Sequence, residues 1–420
     1  MAARAVGKAA RSLASCLLAC LVAGSCWAAK GHRYAIRAGK IVTVTIGTIN
    51  DGVILVRNGR IEAVGTADQV SVPRGYTAVD ASGKWVMPGM VDIHCHIGVQ
   101  GGLNDMVCQI NPGMRIGDGL DPESEIVEAA LAAGTTTVQA IPGSGTNHGG
   151  FGVVFKTAGA TKQERLVRRV GVMKIAQADN PERRAGDIGA TLMGMSWLLR
   201  EHLRRAKEYD AEWGAYERGE RQRPPKRDIA LEDARLVFRE QIPVIVHTWQ
   251  TWGMSMTVRM FHDEFALPAI ASHATGSGHR VAEVVAQRGL SVDVGPRIVD
   301  FYGVGDARFR GIVAAYVQGG VEQISVNTDG VGLYGGWLRP DYLALKAAMA
   351  ARFGLDDETA LKLMTINAAR AILLDDRVGS IQVGKDADLV IKQTSLLDPT
   401  TPVEMVFVNG KIAYREEARN

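Results

Sequence analysis

Cysteine is scarce in this sequence, five in 420 residues, which excludes a small disulfide-built scaffold. An excess of charge is missing too. Lys and Arg number 48 against 45 Asp and Glu, a balance that excludes a strongly basic nucleic-acid binder. Beyond residue 24 no apolar run approaches the about 18 residues of a membrane-spanning helix. Internal repeats and low-complexity tracts are absent. The glycine-rich stretch 143–152 lacks a Gly-Lys-Ser/Thr ending, so it is not a phosphate loop. What is present is 46% hydrophobic and 22% charged residues, the composition of an ordered chain with a sizeable core. The length calls for one large domain and something smaller.

Residues 1–29 read as an address. Arg4, Lys8 and Arg11 make a positive start, Leu13 to Gly24 is an apolar run, and Cys26-Trp27-Ala28-Ala29 offers a cleavage site after Ala28 or Ala29. This is the layout of a secretory signal peptide. An N-terminal anchor helix is the alternative, and the segments ending in Cys20 and Cys26 resemble lipidation boxes. With a signal removed, the remainder carries 45 basic and 45 acidic residues and only Cys95 and Cys108. In a Gram-negative host the destination is the periplasm.

Residues 34–88 read as short strands, with an Asn-Gly hairpin at Asn58-Gly59; a second Asn-Gly hairpin stands at Asn409-Gly410. Two strand-rich ends around a long middle predict a small composite β-sandwich domain from residues 30–88 and 371–420. In the middle, 89–370, eight candidate strands alternate with helical patterns. They are Met90–Ile97, Thr135–Ile141, Gly152–Thr157, Val170–Gln177, Pro243–Thr248, Pro268–His273, Leu290–Val294 and Gln323–Thr328. The expectation is an α/β fold, a TIM (β/α)8 barrel. The Arg/Glu-rich segment 181–230 reads as a helical insertion outside the barrel, and its basic run 221–227 as a solvated face.

Barrel chemistry sits at the C-terminal strand ends. The first candidate strand ends His94-Cys95-His96, and alternation puts both histidines on one face with Cys95 on the other. His247, His273 and Asp329 end three later strands. Imidazole and carboxylate together suit Zn²⁺ and its neighbours. Lys174 stands inside an apolar strand, where a charged ammonium is costly to bury. Carboxylation to a metal-bridging carbamate is one resolution, and a lysine reaching out of the barrel mouth is the other; Asp179 is the competing ligand. His148, in a glycine-rich loop, and Trp249, after the fifth strand, are candidates for touching substrate.

The stretch Met87-Pro88-Gly89-Met90-Val91-Asp92-Ile93-His94-Cys95-His96 resembles the signature of the amidohydrolase superfamily. So does Val378-Gly379-Ser380-Ile381 with Gly384-Lys385-Asp386-Ala387-Asp388-Leu389-Val390. Within it, Gly134-Thr135-Thr136-Thr137-Val138-Gln139 and Met173-Lys174-Ile175-Ala176 are similar to the imidazolonepropionase-like hydrolases. The resemblance implies a barrel with a composite β-sandwich and hydrolysis of amide, lactam or related C–N bonds, usually with zinc. It places His94, His96, Lys174, His247, His273 and Asp329 at metal positions, with one ion, or two if Lys174 is carboxylated. Residues after the strand-five histidine and the strand-eight Asp depart from the family pattern, so substrate identity does not transfer.

The expected reaction is attack by metal-activated hydroxide, with Asp329 moving the proton to the leaving nitrogen. A dipeptidase- or carboxypeptidase-like activity and a catalytically silent binding barrel are the alternatives. The expected partner is a small-molecule substrate, with no nucleic acid and no stable membrane span after processing; barrels of this kind are often homodimers.

Overall fold

The computed structural model describes residues 32–417, apart from 184–187, 302–308, 334, 335 and 337. The expected signal at 1–29 lies outside the described residues. Among these, no helix is long and apolar enough to cross a membrane.

Four N-terminal strands come first: β1 (Arg33–Val42), β2 (Thr48–Arg57), β3 (Arg60–Thr66) and β4 (Thr77–Pro88). The middle of the chain supplies β5 (Met90–Cys95), β6 (Thr135–Ala140), β7 (His148–Lys156), β8 (Leu166–Ala176), β9 (Val244–Thr248), β10 (Ala269–His273) and β11 (Ser291–Val294). A small ribbon follows, β12 (Val299–Phe301) with β13 (Phe309–Gly311), and then β14 (Ile324–Val326). The chain ends in β15 (Leu389–Lys392), β16 (Val403–Val408) and β17 (Lys411–Arg415).

Both ends build one seven-stranded sheet in the order β17-β16-β15-β4-β1-β2-β3. Shifts of register at Ala38/Lys40, Leu55/Val56 and Val406/Phe407 bend it, so that Ile36, Ile54, Val86, Leu389 and Phe407 share one core. Each Asn-Gly turn has both residues at positive φ, 51° and 85° at Asn58-Gly59 and 46° and 68° at Asn409-Gly410, the geometry that matches strand twist in a two-residue hairpin. The two turns touch. A Cβ on Gly410 would stand 2.8 Å from the Cα of Gly59, and Ala387 ties them by donating to Gly59 O and accepting from Gly410 N.

The second sheet has eight strands in the order β14-β11-β10-β9-β8-β7-β6-β5. Its ring is drawn together beyond the last pairing by two bonds, Asp329 N to His94 O at 3.0 Å and His96 N to Gly330 O at 2.8 Å. This is the TIM-like barrel expected from eight strands, with one difference of direction. β7 runs antiparallel to both neighbours. The cause is connection length. A parallel crossover needs about a dozen residues or more, whereas β6 and β7 are separated only by residues 141–147, and β7 and β8 by 157–165.

The segment read as a helical excursion outside the barrel packs a long helix against the outer face of the strands. Its helix Leu192–Glu217 buries Met195, Leu199, Leu203 and Ala206, a stripe at helical spacing. Leu199, Leu203 and Ala206 join Phe151, Met173, Ile175 and Val246 in the largest core cluster. The opposite face carries exposed pairs such as Arg204 with Glu201 and Glu208. The basic run nearby is solvated, with Arg221 on Glu212 at 2.7 Å.

Strand alternation sets the layer that matters for chemistry. Val172, Ile245 and Ile270 pack together low in the barrel. Two residues further along the same strands, and so on the same face, stand Lys174, His247 and Ser272.

Candidate metal centre

Four imidazoles and one carboxylate meet at the C-terminal mouth. The rings of His247 and His273 are 4.1 Å apart between centroids, those of His94 and His273 4.5 Å, and those of His94 and His96 5.7 Å. Asp329 Oδ1 lies 3.2 Å from His96 Nε2 and 3.6 Å from His94 Nε2. Ligand atoms of His94, His273 and Asp329 all fall within 4.8 Å of one another.

Two of these residues reach the site through unusual backbone. By simple alternation His273 and Ser272 would face opposite sides of β10. His273 has φ 67° and Asp329 has φ 48°, a left-handed conformation that costs a non-glycine residue about 1–3 kcal/mol and persists where the surroundings enforce it. Here it turns both side chains into the mouth.

Hydrogen bonds decide which ring nitrogens face inward. His96 Nδ1 lies 2.7 Å from Ile141 O, and His273 Nδ1 lies 2.7 Å from Gly295 O. A carbonyl only accepts, so each Nδ1 carries the proton and each Nε2 keeps a lone pair. Ser272 Oγ donates its one proton to Asp293 Oδ2 at 2.8 Å. It must therefore accept from His94 Nδ1, 2.5 Å away. The Nε2 atoms of His94 and His273 are buried and have no hydrogen-bonding partner.

Burial also disfavours the charged form of His94, His247 and His273. It pushes His273 down to about 4 and holds His94 and His247 well below the ordinary histidine value, and Lys174 pushes all three the same way. Burial alone would raise Asp329, but its contact with His96 at 3.2 Å and the positive field of Lys174 outweigh it, so its carboxyl titrates below the usual range. Neutral imidazoles with inward lone pairs beside an ionised carboxylate are the donor set of a divalent metal ion. The residues present fit one.

Lys174 is 1% exposed, and its Nζ has no hydrogen-bond partner. Burial pushes it down to about 7 against the raising influence of Asp329 and Asp293. Asp179, the competing candidate, is exposed. Its neighbour Asn180 reaches the mouth instead, with Oδ1 3.3 Å from His247 Nε2. Cys95 packs with Ile97, Val127 and Ala130 in the barrel–helix layer.

The two candidate substrate residues separate. Trp249 lines the cavity at the mouth, its ring 5.3 Å from that of His247. His148 does not line it. Its ring packs beneath the long helix, against Phe151 and His202. The expectation is corrected by a bulge in β7 at His148/Gly150. Gly150 has φ 106°, and a Cβ there would stand 2.5 Å from the Met114 carbonyl oxygen, so this backbone swings His148 outward as only glycine allows.

Sequence reasoning missed Ser272, Asp293, Ser144 and Asn180. Ser144 Oγ lies 2.8 Å from His247 Nδ1. Asp293 accepts from Ser272, Ser325 and Asn327 at 2.7–2.8 Å, and burial raises it to about 6. An Asp in the apolar run Ser291-Val292-Asp293-Val294 carried the same signal as Lys174: a charge too costly to bury without a purpose.

With this geometry in view, relatives place the chain. The amidohydrolase family model matches residues 310–413. The chain is 28% identical to an imidazolonepropionase of Rhizobium rhizogenes, over 86% of this chain and 90% of that protein. It is 26% identical to amidohydrolase tasK of Hapsidospora irregularis over 86% of its own length, but spans only 40% of that longer protein. An amidohydrolase structure from Thermotoga maritima superposes with a TM-score of 0.79 at 27% identity, covering 91% of this chain and 100% of that one. Barrel, convergent histidines and these likenesses agree: the chain belongs to the amidohydrolase superfamily, is imidazolonepropionase-like, and is a hydrolase acting on carbon–nitrogen bonds.

Proposed function

We propose that this hydrolase depends on a divalent metal ion, zinc in the first instance, and cleaves an amide, cyclic amide or related C–N bond of a small molecule. The observation that carries the reading is the pair of buried, partnerless Nε2 atoms of His94 and His273 beside Asp329. His94, His96, His247, His273 and Asp329 would hold the ion, and Lys174, if carboxylated, would offer a carboxylate to a second. When bound, such an ion acts as a Lewis acid on the scissile carbonyl and lowers the pKa of water toward about 7.

The chain's own groups do the rest. Asp329 is ionised at neutral pH, so its carboxylate orients the attacking water and takes its proton. As the C–N bond breaks, Asp329 returns that proton to the leaving nitrogen. Trp249 walls the mouth and keeps bulk water from the reacting carbonyl. An export signal at 1–29 would deliver the enzyme to the periplasm, which cell fractionation with N-terminal sequencing of the mature chain checks.

Elemental analysis of purified protein, followed by chelation and re-addition of metal, tests the function. One or two equivalents of zinc per chain, with turnover of a cyclic-amide and N-acyl amino acid panel lost on chelation and restored by metal, is expected. Full turnover in the chelated protein overturns metal dependence. A chain that neither retains metal nor hydrolyses any compound is a silent barrel.

A further inference from the structure

The cavity that opens from His247, His273 and Asp329 has a volume of about 720 Å³, within the range of pockets that take drug-sized molecules. Its wall away from those groups is made by Trp249, Ile298, Val299, Phe309, Met349 and Phe353. These come from the loop after β9, the β12–β13 ribbon region and the helix Leu343–Arg352 with the residue after it. Three separate parts of the chain thus present apolar side chains to one space.

Two polar groups on the same wall are engaged. Asn180 faces His247 Nε2 at 3.3 Å, and the Gly295 carbonyl accepts from His273. Arg297, the lining cation among the described residues, is 61% exposed and pairs with Asp300 at 2.7 Å. A carboxylate pressed against this wall would lose its hydration without gaining a free cation, which is costly. An uncharged apolar arm would take apolar surface out of water, which is favourable.

We propose that the substrate carries an uncharged apolar arm, aryl or branched alkyl, that lies against this wall while the scissile C–N bond sits at the histidines. The inference deepens the hydrolase reading and rests on it for the position of the bond, but the preference is measurable as binding alone. The probes are two lactams identical at the ring amide, one bearing a phenyl arm and the other a carboxylate arm of similar length. Each is titrated calorimetrically into the purified wild type, Met349→Arg and Phe353→Lys.

The phenyl compound is expected to bind the wild type at least about tenfold more tightly. That preference should shrink in whichever cationic variants fold. Equal or tighter binding of the carboxylate compound, no binding of the phenyl compound at millimolar concentration, or an unchanged preference in the folded variants overturns the proposal. Product analysis of the same samples separates the two readings. Phenyl preference without any hydrolysis, in metal-replete protein, sinks the hydrolase reading and leaves the apolar wall. Hydrolysis with carboxylate preference does the reverse.

Discussion

Ser272 accepts the Nδ1 proton of His94 across 2.5 Å while donating its own proton to Asp293. The serine is thus a one-way element: its orientation, set by Asp293, holds His94 in the tautomer whose Nε2 lone pair faces the mouth. Groups that orient a ligating histidine in this way typically contribute 10–100-fold, by order of magnitude roughly, to metal affinity or activity. Ser272→Ala is expected to weaken zinc affinity about 10–100-fold in competition with a chromogenic chelator. Ser272→Thr, which keeps the hydroxyl, should recover most of it. An alanine variant that competes as well as the wild type would remove this role.

Asp329→Asn tests the proton path. The amide keeps the shape and an oxygen ligand but cannot take a proton at neutral pH. Turnover is expected to fall about 10²–10⁴-fold, with most of the metal retained by elemental analysis. Near-wild-type kcat in this variant would show that the proton travels another way.

Lys156 tests how the barrel holds the terminal sheet. It is 1% exposed, and its Nζ lies 2.5 Å from Asp388 and 3.1 Å from Asp386. Asp386 also faces Arg60 and Arg377, at 2.8 and 2.9 Å, but Asp388 has no second cation among the described salt bridges. Removing one partner of a buried pair costs about 3–5 kcal/mol because the other charge stays buried. Lys156→Met should therefore lower the thermal midpoint by several degrees with kcat of the folded enzyme unchanged. A midpoint within about one degree of wild type contradicts the estimate.

His148 and His202 give the stability a pH dependence. Their rings are 5.2 Å apart and both Nε2 atoms lack partners. Burial pushes His202 down to about 4, with Arg205 adding and Asp228 opposing. It holds His148 well below its ordinary value, with the charge of His202 adding. A folded pKa below the unfolded value of about 6.5 means the unfolded chain binds more protons in acid. Stability is then whole above about pH 6.5 and falls as the pH drops toward about 4. His202→Phe should flatten that fall by up to about 1.4 kcal/mol per pH unit. Thermal midpoints measured between about pH 4.5 and 7 decide it; parallel curves for the two proteins count against the assignment.

Much of the architecture was legible because its signals are local. Apolar runs of strand length ending in His96, His247, His273 and Asp329 announce a barrel mouth without reference to any distant residue. The Asn-Gly pairs announce their hairpins for the same reason, since the positive φ they need is a property of two adjacent residues. The long helix had a readable apolar stripe but not a readable partner, because a stripe says that a surface is covered and not by which one. His148 was misjudged because a bulge shifts the alternation by one residue and so exchanges inside for outside.

The order of strands and helices, the strand-end histidines and the turn chemistry belong to the sequence by itself, since side-chain alternation and backbone preference act over a few residues. Tertiary structure alone decided that Ser272 stands beside Asp293 and His94, that Asn180 rather than Asp179 reaches the mouth, and that Trp249, Val299 and Met349 form one apolar wall. These depend on lateral register between strands and on where loops close over the barrel. That is settled by packing among residues tens to hundreds of positions apart, and no local pattern encodes it.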